Sequence, residues 1–126
     1  MTRGLRWVLL GAGGATAAAV LFLSLRAGGP PSAGAPSAPV LYREHCAVCH
    51  GASGKGDGPG AKVIGQPLPD FTDPGVMRQA SDRFLFEIIQ KGGSQFGRSN
   101  AMPAWGMKLS EAEIRGLVQH IRSLAR

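Results

Sequence analysis

Cys46-Ala47-Val48-Cys49-His50 sets two thiols three positions apart, with an imidazole directly after the second. On one helical turn such a pair can add to the two vinyl groups of a porphyrin, and C-x-x-C-H is the attachment pattern of a c-type haem. Thioether tethers would hold the macrocycle against the same turn, which makes His50 the expected proximal ligand of its iron. Other uses of the two thiols fit less well. A thioredoxin-like dithiol needs a strand-helix-strand setting, and no alternating β-branched run precedes Cys46. A structural zinc site needs about four ligands, whereas the chain has two cysteines, and its other histidines, His45 and His120, lack ligand spacing. A Cys46–Cys49 disulfide would close too small a loop to stabilise much.

An iron held in this way needs a second axial ligand from elsewhere, and the candidates are Met77, Met102, Met107, His45 and His120. His45 is one residue from Cys46, on the helix whose other end bears His50, so it cannot reach the opposite face. His120 stands beside Ile121 on an apolar stripe and reads as a packing residue with a satisfied ring nitrogen. Met77 reads as core within a short helical segment. Met102 precedes Pro103 in a loop between two helices, where proline fixes the backbone that presents the sulfur. Met107 lacks that support and stays open as its competitor, with packing as its other use.

The elements that must position these groups are legible as helices. Val40 to His50 reads as the first, opened by Ser37 or the Ala38-Pro39 step and ended by Gly51. Ser53 to Pro69 is rich in glycine and proline, and Gly56-x-Gly58-x-x-Ala61 matches a relaxed dinucleotide fingerprint. No strand comes before it and no helix opens after it, so this stretch is expected to turn closely around the haem edge. Ser81 can cap a helix carrying Phe84, Leu85, Ile88 and Ile89, which stops at Gly92-Gly93. Ser110 and Glu113 form a capping box. Beyond it Ile114, Leu117, Val118, Ile121 and Leu124 recur with a period near 3.6. Strand-like alternation is absent, and the expected fold is all-α.

Residues 1–26 read as a transmembrane anchor or signal. Arg3 and Arg6 precede an uncharged run from Trp7 to Leu25, and Arg26 closes it. At about 1.5 Å per residue that run spans roughly 28 Å, enough to cross a hydrocarbon core. The arginine bias places the N-terminus in the cytoplasm and the rest of the chain outside. The rival is a cleaved signal ending at Ala33-Gly34-Ala35, where Pro36 would follow the cut. Residues 27–39, with four prolines, three glycines and no charge, read as a mobile tether. That leaves residues 40–126 as one small domain whose apolar core is marginal without a staple, and a covalent macrocycle would be one.

Of 126 residues, 14 are basic and 8 acidic, a formal +6. Residues 40–126 hold 11 of the basic and all 8 acidic side chains, a net +3, which ionised haem propionates would lower further. So small an excess, without a series of base-stacking aromatics, does not argue for nucleic acid.

Leu41-Tyr42 ahead of Cys46-x-x-Cys49-His50-Gly51, then Gly54-x-Gly56-Asp57-Gly58-Pro59, Ser99-Asn100-Ala101-Met102-Pro103-Ala104-Trp105 and the Leu109-Ser110 helix together resemble a class I c-type cytochrome. The resemblance is to the short bacterial monohaem branch and covers roughly residues 40–126. It implies the cytochrome c fold, with the first helix crossing the last around a haem crevice. It also implies one covalently bound haem c, thioethers on Cys46 and Cys49, and iron held by His50 and Met102. The chain departs from the branch at His120, where an aromatic residue often stands, so the usual aromatic contact between helices is in question.

Nitrogen and thioether ligands on both faces leave no position for oxygen or peroxide, and sulfur favours ferrous iron. The expected function is a membrane-tethered electron carrier between respiratory or photosynthetic partners, such as a quinol-oxidising complex and an oxidase. Its haem domain is expected on the periplasmic side of the inner membrane. The alternative is an electron-entry subunit of a dehydrogenase or oxidase. A haem sensor or enzyme with a labile Met102 is a third reading. No catalytic constellation supports an enzyme otherwise, because the carboxylates are scattered and the serines have no paired base.

Overall fold

The structure, a computed structural model, describes residues 34–125. The expected anchor at residues 1–26 and the first part of the expected tether lie outside the described residues. Among the described residues no helix is long and apolar enough to cross a membrane. The secondary structure there is entirely helical: no strand occurs among these residues.

Residues 35–37 are irregular, and α1 (Ala38–His45) starts two residues earlier than the sequence pattern suggests, taking Pro39 into its first turn. Proline is tolerated there because the first-turn N–H groups have no helical partner anyway. The Ser37 side chain makes no cap bond, and the Ser37 carbonyl instead accepts from Val40 and Leu41 at 2.9 and 3.0 Å. The expected single helix to His50 is in fact two. At Cys46 the backbone opens to φ −112°, ψ −37°, and α2 (Ala47–His50) follows it. The hydrogen-bond ladder nevertheless runs through the break: the Cys46 N–H donates to Tyr42 O, and the Cys46 carbonyl accepts from Cys49 and His50. The chain is therefore redirected at the first cysteine while the Cys46 N–H and carbonyl keep their partners.

A glycine-rich loop with one 3-10 turn (Pro59–Val63) leads to α3 (Pro74–Gln79), capped by the Asp73 carboxylate on the Gly75 N–H. Ser81 caps α4 (Asp82–Lys91) through the Phe84 N–H, as expected, and Gly92 at φ 83° ends it. After a second 3-10 turn (Gly93–Phe96) and an irregular loop, α5 (Glu111–Leu124) opens with the full Ser110–Glu113 capping box. The Ser110 bonds hold the Glu113 carboxyl below its usual range. Arg122 ties the end of α5 to the α3–α4 junction. Its guanidinium donates to the carbonyls of Met77 and Ala80, while Nε pairs with Asp82 at 2.7 Å. It thereby satisfies carbonyls that the end of α3 leaves free.

The core forms where α1 and α4 each pack on α5. Ile114, Leu117, Val118 and Ile121 of α5 meet Leu41 and Tyr42 of α1, Leu85 and Ile89 of α4, and Phe71 and Met77. Each fully buried side chain of this kind contributes about 1.5–3 kcal/mol. Gly116 faces Ala38 at this crossing, where a Cβ would make an ordinary van der Waals contact at 3.4 Å from the Ala38 Cβ. One turn further along, His120 meets Tyr42 edge-on, with ring centroids 5.0 Å apart at 63°. An imidazole thus makes the inter-helix ring contact that the departure at this position had put in question.

Burial lowers the His120 pKa from its ordinary 6.5. Above pH 6.5 the imidazole is neutral whether the chain is folded or not, and stability is full. As pH falls through the lowered folded value, the unfolded chain takes up the proton first and stability is lost. Thermal denaturation at about pH 7.5 and pH 5.5 is therefore expected to show a drop that shrinks in His120→Phe, which keeps a ring and removes the proton site. An equal drop in both proteins would remove His120 as its source.

Candidate haem site

The Cys46–His50 turn is held from behind by the loop that follows it. Gly51 leaves α2 at φ 79°, and its carbonyl accepts from the buried Tyr42 hydroxyl at 3.0 Å. Burial pushes that phenol well above its usual titration range, so it remains a donor. The carbonyls of Cys49 and His50 accept from Gly58 and Gly56 at 3.1 and 2.8 Å. Gly58 lies so close that a Cβ would sit 2.6 and 2.5 Å from the Ala47 and Val48 carbonyl oxygens. The glycines read from sequence as a close turn are in fact pressed against the backbone that carries the two thiols, which only a residue without a side chain allows.

Cys46 and Cys49 are free thiols, both partly buried. Burial first, and the neighbouring Cys49 second, push the Cys46 thiol up to about 11. A redox dithiol needs the opposite shift, toward thiolate, so the geometry disfavours that use of the pair. His50 is partly buried, and its pKa is lowered by burial, which keeps the imidazole neutral with a lone pair to donate. Its Nδ1 is fully buried and has no hydrogen-bond partner among the described residues. The ring stacks on Phe71 with centroids 4.8 Å apart and planes 20° from parallel.

The loop bearing Met102 is laced to the end of α4. Gly93 N–H donates to Met102 O at 3.0 Å, Trp105 N–H to Ile89 O at 3.0 Å and Gly106 N–H to Gln90 O at 3.0 Å. A Cβ on Gly93 would lie 2.5 Å from Ser99 O and 3.2 Å from the Met102 Cβ. The Met102 side chain is partly buried and packs against the core. Trp105, three residues on, stacks on His45 at 4.7 Å and 33°, with Lys108 Nζ 5.6 Å from its ring centre. His45 is thus the α1 residue that fastens the haem-attachment turn to the Met102 loop, a role its position gave no sign of.

The remaining candidates are placed elsewhere. Met77 is buried in the core, His120 lies at the α1–α5 crossing, and Met107 is 96% exposed. Packing as the use of Met107 is therefore overturned: the turn of residues 106–108 ahead of Ser110 leaves its side chain in solvent. Two further supports were missed. Phe71 sits in an irregular segment with no periodicity to flag it, and the contact between His45 and Trp105 joins residues sixty positions apart.

A protein-family profile described as cytochrome c oxidase, cbb3-type, subunit III matches residues 33–121. The chain belongs to this family. Similar proteins include the cbb3-type cytochrome c oxidase subunit CcoP of Azospirillum brasilense, 31% identical over 103 residues that cover 81% of this chain and 32% of that protein. Another is subunit FixP of Bradyrhizobium diazoefficiens, 30% identical over 84 residues, 67% of this chain and 25% of that protein. The chain thus spans about a quarter to a third of the length of these relatives. Among solved structures, the KustC0563 c-type cytochrome superposes with a TM-score of 0.59 at 26% identity, covering 72% of this chain and all of that one.

As a class I monohaem c-type cytochrome of the cbb3 subunit III family, the chain takes one covalently bound haem c. The described residues fit that group. Two thiols stand on a turn of fixed backbone, and a neutral imidazole follows them. Met107 is exposed, and Met107→Ala is expected to leave thermal stability within about 0.5 kcal/mol of wild type, the usual effect of a surface change. Its ferric absorption band from methionine sulfur should also persist. Loss of that band in Met107→Ala alone would return Met107 to the iron.

Proposed function

We propose that this chain is the haem-bearing, electron-entry part of a membrane-bound oxidase of the cbb3 type, passing single electrons inward, rather than a freely diffusing carrier. One observation carries the reading. The match to oxidase subunit III spans residues 33–121 and takes in Cys46, Cys49, His50 and Met102 together. The relatives are likewise named as oxidase subunits, which favours the subunit reading over the carrier reading. In this proposal residues 1–26 anchor the chain in the inner membrane, residues 27–39 tether it, and residues 40–126 lie on the periplasmic side. In this reading the chain is an electron carrier inside an oxidoreductase complex.

In the proposed site Cys46 and Cys49 provide the thioether tethers, His50 the proximal nitrogen and Met102 the distal sulfur. When bound, the haem supplies a one-electron ferric/ferrous couple. The protein's part is to hold both ligands through the redox cycle. The Cys46–Gly58 backbone bonds fix His50, the lacing of residues 102–106 to α4 fixes Met102, and the stack of His45 on Trp105 joins the two. Trp105 and the core around Met102 keep water from the sulfur side, and a soft sulfur in an apolar setting favours the ferrous state. His50 and Met102 together would hold the iron and leave oxygen chemistry to the oxidase partner.

Met102→Ala is expected to let carbon monoxide bind the reduced protein quickly and to lower its potential, while wild type binds the gas poorly. Ready binding by wild type would instead favour the sensor or enzyme reading. Purification of the native protein from membranes in mild detergent, followed by haem-dependent peroxidase staining and identification of what accompanies it, tests the partner. Co-purification of a haem–copper oxidase is expected, and recovery of a haem-stained chain alone from the soluble fraction would overturn the subunit reading.

A further inference from the structure

A distal ligand is only as well placed as the loop that carries it. Backbone bonds tie residues 102–106 to the end of α4: Met102 O accepts from Gly93, and the Trp105 and Gly106 N–H groups donate to Ile89 and Gln90, each at 3.0 Å. Among the described residues no backbone bond joins this loop to α1 or to the attachment turn. Pro103, Ala104, Gly106 and Met107 are exposed, so the loop has little burial of its own to resist opening.

A side-chain contact crosses the join instead. The rings of His45 and Trp105 lie 4.7 Å apart at 33°, a separation at which aromatic rings attract beyond the area they bury. His45 closes α1, which is seated in the core through Leu41 and Tyr42, and the adjoining Cys46 N–H donates to Tyr42 O at 2.8 Å. The imidazole is thus carried on an element fixed independently of the loop. Trp105 is held to meet it: the N–H groups of Lys108 and Leu109 both donate to its carbonyl at 2.9 Å, and Lys108 Nζ lies 5.6 Å from its ring centre, within reach of a cation–π attraction. Neither ring is fully buried, which puts the pair at the rim of the core, across the join between the two segments. Pro103 stands between Met102 and Trp105, and its fixed φ stiffens the link, so a swing of the sulfur carries the indole with it.

We propose that His45 and Trp105 are positioning residues for the distal ligand: their stack is the latch that holds the Met102 loop toward α1 and sets how often the sulfur leaves the iron. This inference rests on the proposed ligation by Met102, and deepens it.

The test uses the full-length haem-loaded protein, reduced and mixed with carbon monoxide at rising concentration. The rate levels off where release of the methionine becomes limiting, and that plateau reads the latch. His45→Ala is expected to raise the plateau roughly two- to tenfold, the range open to one aromatic pair, while the ferric absorption band from methionine sulfur persists at equilibrium. His45→Phe, which keeps a ring, should restore the wild-type plateau. Trp105→Leu should raise it as well, and adding His45→Ala to Trp105→Leu should raise it no further, because a single contact is lost either way. Leu117→Ala, a core change on α5, controls for general loosening. A wild-type plateau in His45→Ala, the same acceleration in Leu117→Ala, or independent addition of the His45 and Trp105 effects would overturn the latch. His45→Ala decides the matter even if Trp105→Leu fails to mature. A wild-type protein whose ferric spectrum lacks the methionine band would overturn the ligation by Met102 instead, and that failure is distinguishable because it needs no variant.

Discussion

The structure depends on one short piece of backbone, Cys46 to Gly51, which carries two thiols and an imidazole and is held tightly by the loop behind it. A four-residue helix has no stability of its own, so the rigidity of α2 is imported. It comes from the loop behind it, through bonds from Gly56 and Gly58 to the His50 and Cys49 carbonyls and through contact at van der Waals limits. It comes also from Tyr42, whose hydroxyl reaches back from α1 to the Gly51 carbonyl. The crossing of α1 on α5 therefore does more than bury surface. Tyr42 is at once a core side chain, the partner of His120 and the clamp on the end of the attachment turn, which puts packing energy and site geometry on the same residue.

The helices were legible because their signals are local. Ser81 and the Ser110–Glu113 box name their helix starts by the backbone donors they satisfy, and the stripe Ile114, Leu117, Val118 and Ile121 names a buried face by its period. The break at Cys46 was not legible, since nothing in Val40 to His50 disfavours a continuous helix. It arises from the tertiary pull of the loop on the turn. Met107 was misread for a related reason. Hydrophobicity argues for burial only as a trend, and the tight turn of residues 106–108, set by the anchoring of Trp105 and Gly106 to α4, leaves that side chain outside.

The proposed ligands rest on residue type and spacing, whereas their supports are visible only in the structure. C-x-x-C-H and the Met102-Pro103 step are chemistry written in residue type. The aromatic contacts that orient them are not, because stacking carries no sequence spacing: His50 finds Phe71 across a loop of twenty residues, and His45 finds Trp105 across most of the domain. Family membership shows a c-type cytochrome domain, while the supports around the proposed ligands come from the structure alone.

The two proposed ligands are fastened by different means, and the difference suits an electron carrier. His50 is held by the backbone bonds of residues 46–58, by the Tyr42 clamp on Gly51 and by the ring of Phe71, so moving it means disturbing the core. Met102 is held by single bonds to the end of α4, in a loop whose neighbours Pro103, Ala104 and Gly106 are exposed. Segments with exposed backbone bonds and few buried contacts open at the lowest free energy, so local opening is expected first on the methionine side. The stack of His45 on Trp105 is the contact that opposes it, tying that loop to the helix leading into the attachment turn. A cofactor anchored covalently on its rigid side can tolerate such a hinge opposite. With the proposed tethers at Cys46 and Cys49 on the rigid side, a bound haem would stay in register while the Met102 loop opened and closed.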